Sequence, residues 1–268
     1  MPSQRDNSAA NKTVIVTTSW DDGDCWNLKL AELLAKRGLP ATFYVPTGAL
    51  GQGSTMTPQQ LRGLANAGFE IGAHTVSHPV LSDLTGVALA HEVTECKQVL
   101  QDILGCEVPS FAYPKGRGNA EVVRRLQEAG YRSARGLRML SLSCDFPAFD
   151  MPLTVQAYPH SWIRYARNLL KRGAVVTLAT SSFQIVRSKS WVELGKRMFD
   201  RALGEGGAWH LVGHSWETER INGWAELTEI LDYVSGHDGV RYLTNGQLAQ
   251  LALSARASAE PAPQFERN

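Results

Sequence analysis

The chain has 268 residues, 43% of them hydrophobic and 20% charged, with seven tryptophans, the make-up of a globular protein able to bury one sizeable core. A net charge of +1 gives no electrostatic footing for nucleic acid or an anionic membrane surface, and no apolar run reaches the roughly 18 residues that a spanning helix needs. The polar stretch Met1 to Lys12 lacks the apolar centre of a secretory signal; with Cys25, Cys96, Cys106 and Cys144 showing no C-x-x-C spacing, a cytoplasmic protein with free thiols is expected.

Residues 1–12 read as a flexible arm. The β-branched run from Val14 to Thr18 ends on Ser19-Trp20-Asp21-Asp22-Gly23, the pattern of a buried strand that delivers two carboxylates to a sheet rim. An isolated Asp-Asp-Gly is more often a turn or a helix cap. Trp26 to Arg37 places Leu30, Leu33 and Leu34 on a helical stripe and stops at Gly38; Ala41 to Val45 is the next strand. Thr57-Pro58-Gln59-Gln60 combines an N-cap, a proline at the first helical position and the glutamine of a capping box, so a helix runs from there to Gly68.

The strand that follows runs into His74 and His78. In a helical turn this i, i+4 spacing puts both imidazoles on one face, and imidazole nitrogen is a favoured zinc ligand. One carboxylate added to two histidines leaves coordination positions open, as a catalytic metal site needs.

Thr85 to Leu104 reads as a long helix closed by Gly105, Ser110 to Tyr113 as a strand leading into Pro114-Lys115-Gly116, and Asn119 to Ala129 as a helix closing on Gly130. The repetition of strand, loop, helix and glycine predicts a mostly parallel sheet covered by helices. Tyr131 to Pro159, broken by Pro147 and Pro152, is expected to hold strands and substrate loops. Helices are predicted at Ser161 to Lys171, at Trp191 to Leu203 behind an N-cap at Ser190, and at Trp224 to Val234, with a strand from Ala208 to His214 among them. Thr244 and Gln247 form a second capping-box pattern before a short helix, and 254–268 reads as a disordered tail, leaving 13–253 as the folded domain.

Four motifs now stand in order: Ser-Trp-Asp-Asp-Gly at 19–23, His-Thr-x-x-His at 74–78, Phe-Ala-Tyr-Pro-Lys-Gly at 111–116 and Leu-Val-Gly-His at 211–214. Together they resemble the polysaccharide deacetylase family, the NodB-homology carbohydrate esterases. The resemblance implies a single-domain α/β fold, a deformed (β/α) TIM-like barrel. It also implies a divalent metal, usually Zn2+, and hydrolysis of an N-acetyl group from an amino sugar or glycan precursor, of the kind used in surface-polysaccharide or O-antigen assembly. Carried over, it makes Asp22, His74 and His78 the metal ligands, Asp21 the general base, the Lys115 N–H an oxyanion donor and His214 the general acid.

The chain departs from the family pattern in three places. Trp20 stands for the usual Phe. Ala112 stands where the family has an Arg that orients the base, and Arg117 and Arg135 are the candidate substitutes. The motif that supplies an Asp and a Trp near the acid is not placed, the cluster at Cys144, Asp145 and Asp150 being the nearest candidate. Trp216 and Glu217, just past His214, are candidate sugar contacts, as is Tyr113, against the plain alternative of an ordinary amphipathic loop. His210 reads as a packed residue and not as a second metal ligand. Two other functions fit the same residues: hydrolysis of a non-sugar amide or imide, and, given the absent Arg, an inactive glycan-binding homologue. Oligomeric state is left open.

Overall fold

The computed structural model describes residues 13–161 and 188–259. The predicted arm, the predicted helix beyond Ser161, and residues 260–268 of the predicted tail lie outside them. The first half follows the predicted alternation: β1 (Val14–Trp20), α1 (Asn27–Ala35), β2 (Thr42–Val45), α2 (Pro58–Asn66), β3 (Glu70–Ala73), α3 (Gly86–Leu104), β4 (Ser110–Ala112), α4 (Ala120–Glu128) and β5 (Ser133–Arg135). After an irregular passage come β6 (Val155–Gln156), α5 (Trp191–Glu205), β7 (Gly207–Gly213), α6 (Ser215–Arg220), α7 (Trp224–Val234), β8 (Val240–Tyr242) and α8 (Asn245–Ala259).

The strands lie in the order β5-β4-β3-β2-β1-β7-β6, with β8 beside β1, and pair in parallel throughout. A parallel pair needs a crossover, which the intervening helices supply. The passage before β6 draws the ends of the sheet together. Met151 N–H donates to Ala134 O and Gly136 N–H to Met151 O on the β5 side, while Thr154 N–H donates to His210 O of β7. The result is the single-domain, deformed α/β barrel that the motifs implied.

Period-2 alternation along β1 decides what faces where. Val16 and Trp20 point outward into the main core, packed with residues such as Leu30, Leu34, Phe43, Leu61 and Trp209. The other parity, Thr17, Ser19 and then Asp21, faces the lumen, which is polar. Thr17 Oγ1 donates to Asn245 Oδ1 at 2.9 Å and Ser19 Oγ meets His210 Nε2 at 2.9 Å. At the lower end Glu70 accepts from Thr42 Oγ1 at 2.6 Å and from Gly246 N–H at 2.9 Å, so the start of α8 plugs the barrel. Gly72 is required there, since a Cβ would lie 2.5 Å from the Tyr44 ring that crosses the lumen.

Local signals held where a side chain could satisfy the backbone by itself. The Thr57/Gln60 capping box forms, as does that of Thr244 and Gln247, and Ser190 caps α5. The predicted tail is corrected in part: α8 runs on to Ala259, because the Ala- and Arg-containing stretch after Leu253 is helix-compatible and continues a helix already nucleated.

Candidate active site

The Asp21 N–H donates to Gly213 O at 3.0 Å, carrying the β1–β7 ladder one residue past β1 and fixing Asp21 on the lumen side. The chain then turns through left-handed geometry at Asp22 (φ 72°) and Gly23 (φ 62°). Asp tolerates this conformation, whereas at Gly23 a Cβ would come within 2.9 Å of Val45 Cγ1. The two adjacent carboxylates are thereby sent apart. Asp21 is 4% exposed inside the barrel, and Asp22 stands on the rim.

Arg135, fully buried on β5, donates from Nη2 to both carboxylate oxygens of Asp21. Ala112 and Arg135 are register partners on adjacent strands, so the guanidinium missing from position 112 arrives from one strand further along. Arg117 lies on an exposed turn. Burial alone would raise the Asp21 pKa, but the Arg135 charge, with the imidazoles of His74 and His214, outweighs it and holds the carboxyl below its ordinary range.

His74 extends β3 into the lumen, its Nδ1 2.7 Å from Ala112 O. A carbonyl can only accept, so Nδ1 carries the proton and Nε2 presents its lone pair. Burial pushes this imidazole down to about 4, leaving it neutral near pH 7. The expected helical turn between His74 and His78 is absent. Thr75 (φ 71°) and His78 (φ 59°) are left-handed, and the loop is held by side chains instead. His78 N–H donates to Thr75 Oγ1 at 3.0 Å, while Glu92 on α3 accepts from Val76 N–H at 2.8 Å, Ser77 N–H at 2.9 Å and Ser77 Oγ at 2.5 Å. The imidazole centroids still end 4.8 Å apart.

Asp22 Oδ1 lies 3.7 Å from His74 Nε2 and 3.4 Å from His78 Nε2. The three potential ligand atoms fall within 4.8 Å of one another, the only such cluster of three among the described residues. A carboxylate oxygen with two imidazole nitrogens, one of them oriented by a backbone carbonyl, suits a divalent metal such as zinc.

The segment after β7 completes the rim. Trp216 Nε1 donates to Asp22 Oδ2 at 2.9 Å, leaving Oδ1 for the histidine side. His214 Nδ1 lies 2.7 Å from Glu217 Oε2, and its Nε2 lies 3.8 Å from Asp22 Oδ2 and 4.0 Å from Asp21 Oδ2. Burial disfavours the charged imidazolium, but Glu217 and the two aspartates prevail and raise the His214 pKa. Trp216 and Glu217, expected as sugar contacts, thus also support Asp22 and His214.

Lys115 sits at φ 54° in the turn after Pro114, and its N–H has no backbone acceptor among the described residues. Tyr113 corrects an expectation: it is 5% exposed and its hydroxyl donates to Phe149 O at 3.0 Å, so it is a core residue and offers no surface to a ligand. His210 is packed as expected, with Nδ1 2.9 Å from Pro152 O and Nε2 on Ser19. Asp145 and Asp150 pair with Arg256 and Arg138 on the surface and do not join the acid. Glu92 was not anticipated. The available signal was a carboxylate on the apolar stripe of α3, three residues after Leu89 and next to Val93, a position that a charged group occupies only when paired.

With this geometry in hand, comparison with known proteins bears on the first half of the chain. Residues 7–134 match the polysaccharide deacetylase family. A candidate polysaccharide deacetylase of Bacillus subtilis, YxkH, is 28% identical over 129 residues, 48% of this chain and 46% of that protein. A chitooligosaccharide deacetylase of Rhizobium leguminosarum bv. trifolii is 28% identical over 106 residues, 39% of this chain and 46% of that protein. The chain spans less than half the length of these curated relatives. Among solved structures, a candidate polysaccharide deacetylase from Mycobacterium smegmatis superposes over 100% of this chain and 99% of its own with a TM-score of 0.68 at 19% identity. The chitin deacetylase of Colletotrichum lindemuthianum covers 88% of each chain with a TM-score of 0.56 at 17% identity. At such identities the likeness concerns the deacetylase fold alone. No helix among the described residues is long and apolar enough to cross a membrane.

Proposed function

We propose that this protein is a metal-dependent hydrolase that removes the N-acetyl group from an amino sugar, within a glycan or glycan precursor of surface-polysaccharide or O-antigen assembly. The observation that carries the reading is the convergence, at one barrel rim, of a two-histidine, one-carboxylate cluster with a second carboxylate, Asp21, locked in place by Arg135. The name of the Rhizobium relative supports the sugar half of the reading.

Asp22, His74 and His78 would hold the divalent metal, with Zn2+ the best match to the donor set. When bound, it supplies Lewis-acid polarisation of the acetyl carbonyl and acidifies water. Asp21, ionised throughout the neutral range, accepts the proton of the attacking water. The Lys115 N–H, with no backbone acceptor among the described residues, is the donor assigned to the oxygen that gains charge as the carbonyl becomes tetrahedral. His214, whose pKa Glu217 and the two aspartates raise, gives its proton to the nitrogen as the C–N bond breaks, so acetate and a free amine leave.

An inactive glycan-binding homologue was suggested by the alanine at position 112, and the Arg135–Asp21 pair removes the motive for it. The test is metal content of the purified protein together with acetate release from a panel of acetamido sugars and small cyclic amides. A metal-dependent release from sugars that Asp21→Asn abolishes is the expected result; release from the cyclic amides alone would replace the substrate, and no release at all would refute the hydrolase.

A further inference from the structure

Apart from Trp216 at the rim, the described tryptophans fall into two kinds. Trp20, Trp191 and Trp209 are buried in the core, while Trp26 is 36% exposed and Trp224 is half-buried. Those two stand together at the surface, ring centroids 6.3 Å apart and planes 54° apart. They are held by polar neighbours. Trp224 Nε1 donates to Glu219 Oε2 at 2.5 Å, Lys29 Nζ lies 4.1 Å from the Trp224 ring centroid and 5.4 Å from that of Trp26, and Lys29 and Glu219 approach to 3.9 Å. Ile221, also 36% exposed, follows Glu219 on the same segment.

The placement ties this patch to the rim. Trp26 caps α1 four residues beyond Asp22, and four residues reach at most about 14 Å. Trp224 opens α7 shortly after the segment carrying His214, Trp216 and Glu217. The strands feeding the two segments, β1 and β7, are direct neighbours. A sugar ring has apolar C–H faces and a girdle of hydroxyls; the patch offers the indole surface that the Lys29 ammonium, lying over both rings, leaves uncovered, with that ammonium and the Glu219 carboxylate able to bond those hydroxyls. A partner protein would need about 800 Å² on its side, more than two partly covered indoles of about 200 Å² each and one isoleucine provide.

We propose that Trp26 and Trp224, flanked by Lys29 and Glu219, form a second sugar subsite that holds a neighbouring ring of the same acetylated glycan. The proposal rests on the hydrolase reading for its ligand class. It makes the preferred substrate an oligosaccharide and not a single sugar.

The test separates the two ideas by measuring binding apart from hydrolysis. Short and long chito-oligosaccharides and acetylated poly-N-acetylglucosamine are titrated calorimetrically into the Asp21→Asn protein, with and without Trp26→Ala or Trp224→Ala, and acetate release is followed on the wild-type background. Expected is a loss of about tenfold in affinity for long oligomers, little change for the monosaccharide, and recovery with Trp26→Phe. On the unaltered chain, long oligomers are expected to shield tryptophan fluorescence from acrylamide quenching. Equal affinity of the variants for long and short oligomers, no shielding, or no binding to any of these glycans overturns the subsite. A concentration-dependent dimer lost in Trp26→Ala, with no change in glycan binding, overturns it too and gives the patch to a second copy. Trp26-dependent binding without acetate release would instead retain the subsite and sink the hydrolase.

Discussion

Arg135 and Asp21, 114 residues apart in the chain, form a fully buried ion pair in which one guanidinium nitrogen serves both oxygens of the carboxylate. The pair places the candidate base where Ser19 and Thr17 set its direction, with the Tyr44 ring centroid 5.3 Å from the guanidinium carbon. Removing one partner of a buried pair strands the other charge, which costs about 3–5 kcal/mol. Arg135→Met is therefore expected to lower unfolding stability by about that much and to abolish activity. Asp21→Asn combined with Arg135→Met should cost less than the two single changes summed, with a coupling of about 1–3 kcal/mol. Chemical denaturation of the four proteins decides it, and simple additivity would show that the pair does not act as a unit.

Metal binding is expected to stabilise the fold, because only the native chain gathers Asp22, His74 and His78. Zinc at a hundredfold excess over its dissociation constant should add about 2.7 kcal/mol, lost on treatment with EDTA. His78→Ala should show no such gain, while its metal-free melting temperature stays near that of the wild type, since His78 is partly exposed. A zinc-induced shift of equal size in the variant would move the site elsewhere.

Glu92 holds the loop between the two histidines through three hydrogen bonds without touching either ring in any contact described above. Loosening that loop should weaken zinc binding by about 10–100-fold. Competition with a chromophoric chelator measures this directly in Glu92→Ala, and unchanged affinity would mean that Thr75 and the strand end suffice to set the geometry.

His210 should impose an acid limit on stability. Burial lowers its pKa from 6.5 to about 3 in the folded protein. Above pH 6.5 neither state binds the proton and nothing is lost. As pH falls below that value the unfolded chain becomes protonated while the folded one does not, so stability drops by about 1.4 kcal/mol per pH unit until the folded value is reached. Unfolding free energies between pH 7 and 5 should therefore fall less steeply in His210→Gln than in the wild type. Parallel slopes would mean that other groups carry the acid sensitivity.

Much of this could be read before folding was considered. The capping boxes at Thr57 and Thr244 are contacts within four residues, and the strand-to-helix alternation is a pattern of side-chain polarity along one chain. Asp22, His74 and His78 were named from motifs that place each at a strand end, where a parallel barrel collects its functional groups whatever the details of the loops. What stayed illegible depended on partners distant in sequence. The His74–His78 spacing suggested a helical turn because i, i+4 is helical in isolation, yet Glu92, reaching over from α3, stabilises a left-handed loop instead. Tyr113 looked available until Phe149 and the core enclosed it. Trp216 and Glu217 were expected as sugar contacts, and only the fold shows that Trp216 Nε1 also meets Asp22 and Glu217 Oε2 also meets His214.

The sequence by itself determined the parallel α/β architecture and the caps, because local periodicity and backbone satisfaction are settled among near neighbours, while the metal-ligand candidates came from the family resemblance of its motifs. Only the tertiary structure decided that Arg135 and not Arg117 meets Asp21. A buried charge must find its counter-charge, and which one lies within reach is fixed by the register of β4 beside β5, which no stretch of sequence states.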